Sequence, residues 1–288
     1  MLGNVETRDD KCCTNHIRVL KPLDGVIDKC WFVEGRLHRV NGPAVERAYG
    51  DKEWYVDGQL HRRDGPAIEK ANGHKEWWVN GKYHRMDGPA IEQGNGDKMW
   101  YVDGQIHRTN GPAIESADGG KSWWMNGNQH RVDGPAIELA DGDKEWWVNG
   151  KRHRTDGPAV EKADGTKEWW VSGERHRVDG PAVELTIPTK WLMKGCKSVH
   201  KEWWLIGQRH RTDGPAVERV SGDKLWYING KLHRTDGPAC EWASGYKEWW
   251  VNGQRHRVDG PAIEKADGTK VWYMNGQRIA RTDPRLNS

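Results

Sequence analysis

Apolar residues fall along this chain in short bursts separated by turn chemistry, not in helical stripes. One burst, of the form Lys-Glu-Trp-Trp-Val, ends at Asn-Gly, and a second, Ala-Ile-Glu, follows Asp-Gly-Pro. Short aromatic and β-branched runs bounded by such dipeptides read as strands. The proline belongs at a strand start, because it lacks the N–H that a ladder requires. No segment carries a 3.6-residue apolar period, so the pattern predicts strands and no helices.

The bursts recur. His-Arg dipeptides begin at His38, His61, His84, His107, His130, His153 and His176, each step being 23 residues, and resume at His210, His233 and His256 after one step of 34. The chain therefore divides into an N-terminal cap (1–29), repeats over 30–184, an insertion (185–200), and further repeats over 201–288 whose last copy, WYMNGQRIARTDP, is degenerate. Atypical ends suit an array whose terminal repeats must be capped. Within the cap, Asp24-Gly25-Val26-Ile27-Asp28 reads as half a repeat that could pair with the first full strand.

Turn chemistry sets the register. A three-residue loop such as Ala71-Asn72-Gly73, a type I turn closed by a left-handed glycine, places Glu69 opposite Lys75. The same count pairs Glu46 with Lys52, Glu92 with Lys98, Glu138 with Lys144 and Glu161 with Lys167, and fails only at the insertion. Opposite charges across strands contribute roughly 0.2–1 kcal/mol each, so these residues read as register pins. Two strands per repeat predict an all-β, elongated antiparallel meander or open solenoid of about eleven hairpins. With strands about 4.8 Å apart, such an array would extend ~100 Å.

Composition decides what the core can be. Hydrophobic residues make up only 35% of the chain, yet it holds 19 tryptophans, so an aliphatic core is replaced by an aromatic one. The first aromatic of each pair is always Trp, from Trp31 to Trp272, and is expected on the packed face. The second varies (Phe32, Tyr55, Trp78, Tyr101, Trp124) and is expected on a wetter one. The net charge of +3 falls short of a dedicated nucleic-acid binder. Five irregularly spaced cysteines make no disulfide framework, which suits reduced thiols in an intracellular, cytoplasmic setting. No run is long and apolar enough for a membrane span, and the start lacks the pattern of a signal peptide.

The candidate chemistry lies in His-Arg-x-Asp. A histidine near an aspartate suits a general base or a metal site, but this one occurs in ten repeats about 10 Å apart, whereas metal ligands sit about 2 Å from one ion. The histidine and aspartate are therefore expected to hold the bend before Gly-Pro, with arginines over tryptophan faces joining neighbouring repeats. If exposed, Arg39, Arg62, Arg85, Arg108, Arg131, Arg154, Arg177, Arg211, Arg234 and Arg257 would form a basic row able to meet phosphates. Cys12, Cys13, His16 and Cys30 hold enough ligand types for zinc, in a spacing that matches no strong signature. Trp191, Leu192 and Met193 of the insertion are a candidate docking point. The varied residues before each histidine (Leu60, Tyr83, Ile106, Arg152, Leu232) could confer local specificity.

The repeat resembles the MORN repeat, particularly its variant class in bacteria and large DNA viruses. The resemblance rests on aromatic-x-x-Asn-Gly-x-x-His, as in Trp147-Val148-Asn149-Gly150-Lys151-Arg152-His153, and covers about 250 residues. It departs from the family at His-Arg, where His-Gly is usual, and lacks the Tyr-x-Gly strand opening. The resemblance implies hairpins strung into an elongated sheet, and a scaffold that is intracellular or virion-associated.

These readings converge on a non-enzymatic repeat scaffold or protein-interaction protein. No cofactor or metal is expected, and the motifs of nucleophile elbows, phosphate loops and zinc hydrolases are absent from the sequence. Protein partners are expected, including self-association through open sheet edges. The alternative is a binder of nucleic acid or anionic lipid that uses the arginine row.

Overall fold

In the computed structural model, residues 28–187 and 198–280 are described, together with the backbone of strands Glu6–Asp9 and Asn15–Leu20. The described residues are all-β and form two compact units, residues 1–140 and 141–288.

Within each unit the expected meander is present. In the first, Val45–Glu46 pairs with Lys52–Glu53, which pairs with Ile68–Glu69, then Lys75–Glu76, and so onward, every contact antiparallel. In the second, Lys144–Glu145 pairs with Val160–Glu161, then Lys167–Glu168, in the same way. Glu69 stands opposite Lys75, Glu46 opposite Lys52, Glu92 opposite Lys98 and Glu161 opposite Lys167, as the loop length requires.

The pairing also survives the insertion, contrary to expectation. Val183–Ile187 and Ser198–Glu202 form a longer hairpin that keeps Glu184 opposite Lys201. The register holds because the two strands are prolonged equally, with Leu185 opposite His200, Thr186 opposite Val199 and Ile187 opposite Ser198.

The Lys-Glu-Trp-Trp-Val burst is two strands, not one. In the second repeat Lys52–Glu53 belongs to the meander, while Tyr55–Val56 pairs only with Gln59–Leu60 in a separate hairpin. The break lies at Trp54, whose N–H donates to Ala67 O while its own carbonyl accepts from His61 N, so the ladder changes partner there. The side hairpin turns at Asp57 (φ 50°) and Gly58 (φ 79°). Two successive left-handed residues match the twist of paired strands, and Asn, Asp and Gly bear that conformation at least cost. Side hairpins of successive repeats are joined by Arg62 N to Trp78 O and Gly81 N to Leu60 O.

The side chain fully buried in ten of the repeats is a small one, followed in some by a larger buried residue such as Val160, Val217 or Cys240. Ala44, Ala67, Ala90, Ala113 and Ala136 in the first unit, and Ala159, Ala182, Ala216, Ala239 and Ala262 in the second, are all 0% exposed. The tryptophans are half-buried. The expectation of a core made by tryptophans stacked between repeats is thus corrected, because the rings are only half-buried and the first tryptophan of a repeat takes an arginine of that repeat as its partner.

At the N-terminus, the strand that pairs with the first full strand is Asn15–Leu20, with Ile17 opposite Trp31. Glu6–Asp9 pairs on its other side. The half-repeat anticipated at residues 24–28 lies, all but Asp28, outside the described residues. In the last repeat Lys270–Met274 runs unbroken and pairs with Gln277–Ile279. Ile279, in the place of the usual histidine, is buried.

Candidate functional site

Each recurring arginine occupies a socket built by its own repeat. The Arg62 guanidinium lies 4.0 Å from the Trp54 ring centroid. Its opposite side faces Gly65, where an added Cβ would come within 2.8 Å of the guanidinium carbon. Glycine is required here for that close approach. The edges are bonded as well: Nε donates to Asp64 Oδ1 at 3.1 Å, and Nη1 donates to Pro66 O at 3.0 Å and Glu69 Oε1 at 2.8 Å. The motif Arg-x-Asp-Gly-Pro-x-x-Glu is therefore one guanidinium cage. It recurs around Arg85, Arg131, Arg154, Arg177, Arg211, Arg234 and Arg257, each 3.9–4.1 Å from its tryptophan. Arg39 and Arg108 lie over Trp31 and Trp100, both at 3.8 Å.

Two expectations are corrected by this geometry. The arginine–tryptophan contact lies within a repeat and does not join neighbours. The aspartate holds the bend through arginine, not through histidine. Hydrogen bonds from the guanidiniums hold the pKa values of Asp64, Asp87, Asp133, Asp156, Asp179, Asp213, Asp236 and Asp259 below the usual carboxylate range.

Exposure reverses the expected row. The Arg62 side chain is 21% exposed and Asp64 86%, and Arg211 is 20% against 79% for Asp213. What solvent meets along these loops is carboxylate. The meander glutamates, opposite lysine in register, give their charge to arginine: Arg154 Nη1 bonds Glu161 at 2.9 Å.

Histidine does a different task, joining consecutive repeats. His61 Nδ1 accepts the backbone N–H of Asn80 at 3.2 Å and lies 2.8 Å from its side-chain oxygen. His107 meets Asn126 and His233 meets Asn252 in the same way, while Asp57 and Asp103 are the partners of His38 and His84. Each of these ring nitrogens is thus within reach of both the backbone N–H and the side-chain oxygen of the next repeat's turn residue, and the ring's tautomer decides which of the two contacts is the hydrogen bond. Two partners are unusual: Ser172 faces His153, and Ile206 faces His176.

The varied residue before each histidine packs among the second aromatics. In the first unit Tyr83 lies 3.7 Å from Trp78 and 5.1 Å from Tyr101. In the second, Arg152 lies between Trp147 and Trp170, at 5.2 and 5.4 Å, and Arg175 and Arg209 continue the alternation toward Trp204 and Tyr227. These arginines are anchored on Glu145, Glu168 and Glu202. Burial opposes ionisation of Glu202, but hydrogen bonds from His200, Arg209 and Trp204 outweigh it and lower its pKa.

Glu248 is buried, and accepts from Tyr246, from Trp250 Nε1 at 2.7 Å and from Arg255 Nη2 at 2.9 Å. Cys240 stands opposite it in register, and burial pushes this thiol up to about 12. Cys30 is buried too, and burial raises its pKa. Such thiols are poor nucleophiles and poor ligands. Cys12, Cys13, Trp191, Leu192 and Met193 lie outside the described residues, as does the His16 side chain. Among the described residues no group of three His, Cys, Asp or Glu side chains could hold a metal ion, and no helix is long and apolar enough to cross a membrane.

No protein-family model matches the chain, and no curated protein matches it either.

Proposed function

We propose that the chain is a non-enzymatic scaffold of MORN-like hairpin repeats, whose surface holds protein partners. The observation that carries this reading is the guanidinium socket. The residues best suited to chemistry are engaged in architecture: arginine with Trp, Pro carbonyl, Glu and Asp, and histidine with the turn of the next repeat. A residue set repeated as architecture leaves specificity to positions that vary between repeats. The alternative, a phosphate-binding arginine row, is disfavoured because eight of its ten guanidiniums already meet two carboxylates, as Arg154 meets Asp156 and Glu161, and Arg39 and Arg108 each meet one.

Affinity capture with the full chain from its native source tests the reading. Reproducible recovery of a protein at fixed stoichiometry is expected. Recovery of nucleic acid or lipid alone would overturn it.

A further inference from the structure

Ten Asn-Gly dipeptides lie along the chain, and in most of them the fold ties up the glycine N–H. In the side-hairpin turns Gly81 donates to Leu60 O at 3.0 Å, and Gly127, Gly230 and Gly253 donate to Ile106, Arg209 and Leu232 at 2.9 Å. In the outer loops Gly73 and Gly96 donate to Lys70 and Gln93. Two dipeptides differ, Asn41-Gly42 and Asn110-Gly111, which lie in the arginine socket: among the described residues neither glycine N–H meets a carbonyl. The arginine itself imposes glycine there, since a Cβ at Gly111 would lie 3.1 Å from the Arg108 guanidinium carbon. One contact separates the two. Arg108 Nε donates to Asn110 Oδ1 at 3.3 Å, whereas Arg39 bonds Pro43 O and Glu46 and, among the described residues, not Asn41. This rim position, two residues after the arginine, is Asp in eight repeats, at 2.9–3.1 Å from the arginine Nε. Bonds between two charged groups are shorter than those to a neutral one, so the Arg108 socket holds an amide where a carboxylate fits.

We propose that Asn110 is a self-modifying site, which loses ammonia through attack by the Gly111 nitrogen and becomes the aspartate that completes the Arg108 socket. The Gly111 peptide nitrogen gives its proton to solvent base and adds to Asn110 Cγ. A five-membered imide closes as the Cγ–Nδ2 bond breaks, and Nδ2 takes up a proton and leaves as ammonia. Water then opens the imide. Addition at Cγ breaks the new N–Cγ bond and yields ordinary aspartate, while addition at the backbone carbonyl yields β-linked isoaspartate. One water is consumed and one ammonia released, and no oxidant or cofactor takes part. Glycine places no side chain in the path of attack, and here its N–H has no carbonyl bond to break before the nitrogen turns. Arg108 is held over Trp100 at 3.8 Å and bonds Pro112 O and Glu115 at 2.8 Å, so its Nε is fixed where negative charge develops on Oδ1. A donor fixed at that place stabilises the tetrahedral intermediate, as in an oxyanion hole. In the imide the same donor faces the Cγ oxygen and directs water to Cγ, which favours aspartate over isoaspartate. At Asn80-Gly81, with φ of 50° and 71°, the bonded glycine N–H holds the turn closed, and the amide persists.

Timed incubation of the folded full chain in mildly alkaline buffer, followed by peptide mapping in a mass spectrometer, tests this. Labelling by an isoaspartate methyltransferase distinguishes the two products. Asn110 is expected to convert several-fold faster than Asn41, and both faster than the clasped Asn80, Asn126 and Asn229. Its product should be mainly the ordinary, α-linked aspartate. Asp133→Asn, which sets an amide beside Arg131 Nε and before Gly134, should create a second site that converts as Asn110 does. In the urea-unfolded chain the rates should become equal and isoaspartate should dominate. Asn110 converting no faster than Asn41, or giving mainly isoaspartate in the folded chain, would overturn the proposal. So would an Asp133→Asn chain that keeps its new amide, or rate differences that persist in urea, since sequence and not the socket would then set the chemistry.

Discussion

The Arg234 guanidinium lies 4.1 Å from the centroid of the Trp226 ring, and bonds Asp236, the Pro238 carbonyl and Glu241 at the same time. Removing it uncovers a ring and leaves a half-buried carboxylate short of a donor. Cation–π contact is worth about 0.5–2 kcal/mol and hydrogen bonds to charged groups about 1.5–3 kcal/mol. Arg234→Ala is expected to cost about 2–4 kcal/mol in denaturant titration. Arg234→Lys should recover only part of that, because an ammonium on a flexible stem cannot bond three acceptors in the plane of the ring.

Ile206 sits at φ 47° in the turn where most repeats carry Asn or Asp. A β-branched residue is strained in the left-handed region, and this one is also 66% exposed, so it gains little from burial. Ile206→Asn is expected to raise stability by roughly 1 kcal/mol, by relieving strain and giving His176 a polar side chain to meet. An unchanged or lower unfolding midpoint would remove this explanation of the turn.

Ala239 is 0% exposed, and its carbonyl accepts from Trp226 N at 2.8 Å. Ala239→Val adds volume where there is none and should cost about 1–3 kcal/mol, measured by thermal or chemical unfolding.

Stability should fall at both ends of the pH scale, for opposite reasons. The rim aspartates, with Asp64 and Asp213 among them, are depressed by their arginine hydrogen bonds. Their stabilising contribution is present above about pH 4 and is lost as pH falls through the depressed values. Tyr55 and Tyr246 are raised to about 12, first by burial and then by neighbouring Glu53 and Glu248. A raised acid stabilises the fold below its unfolded value near 10 and loses that contribution as pH rises toward 12. Circular dichroism midpoints across pH should show both limbs, and Tyr246→Phe should weaken the alkaline one.

Turn chemistry is local, and what depends on it was legible. The Ala71-Asn72-Gly73 loop sufficed to place Glu69 opposite Lys75. The socket was not, because Arg62 meets a tryptophan eight positions earlier and depends on an atom that Gly65 lacks. The histidine clasp joins residues 19 apart, such as His61 and Asn80, a separation that corresponds to no motif within one repeat. The side hairpin was hidden for another reason: Lys-Glu-Trp-Trp-Val looks like one strand, and only the change of hydrogen-bond partner at the first tryptophan divides it.

The central claim is that the recurring arginines and histidines are structural. Amide hydrogen exchange on Arg154→Gln against the unchanged chain tests it most directly. Faster exchange is expected at Trp146, His153 and Arg154, whose amides donate to Ala159, Trp146 and Trp170 carbonyls, together with a lower unfolding midpoint. Unchanged protection and an unchanged midpoint would contradict the account, because they would leave the Arg154 guanidinium free for a ligand.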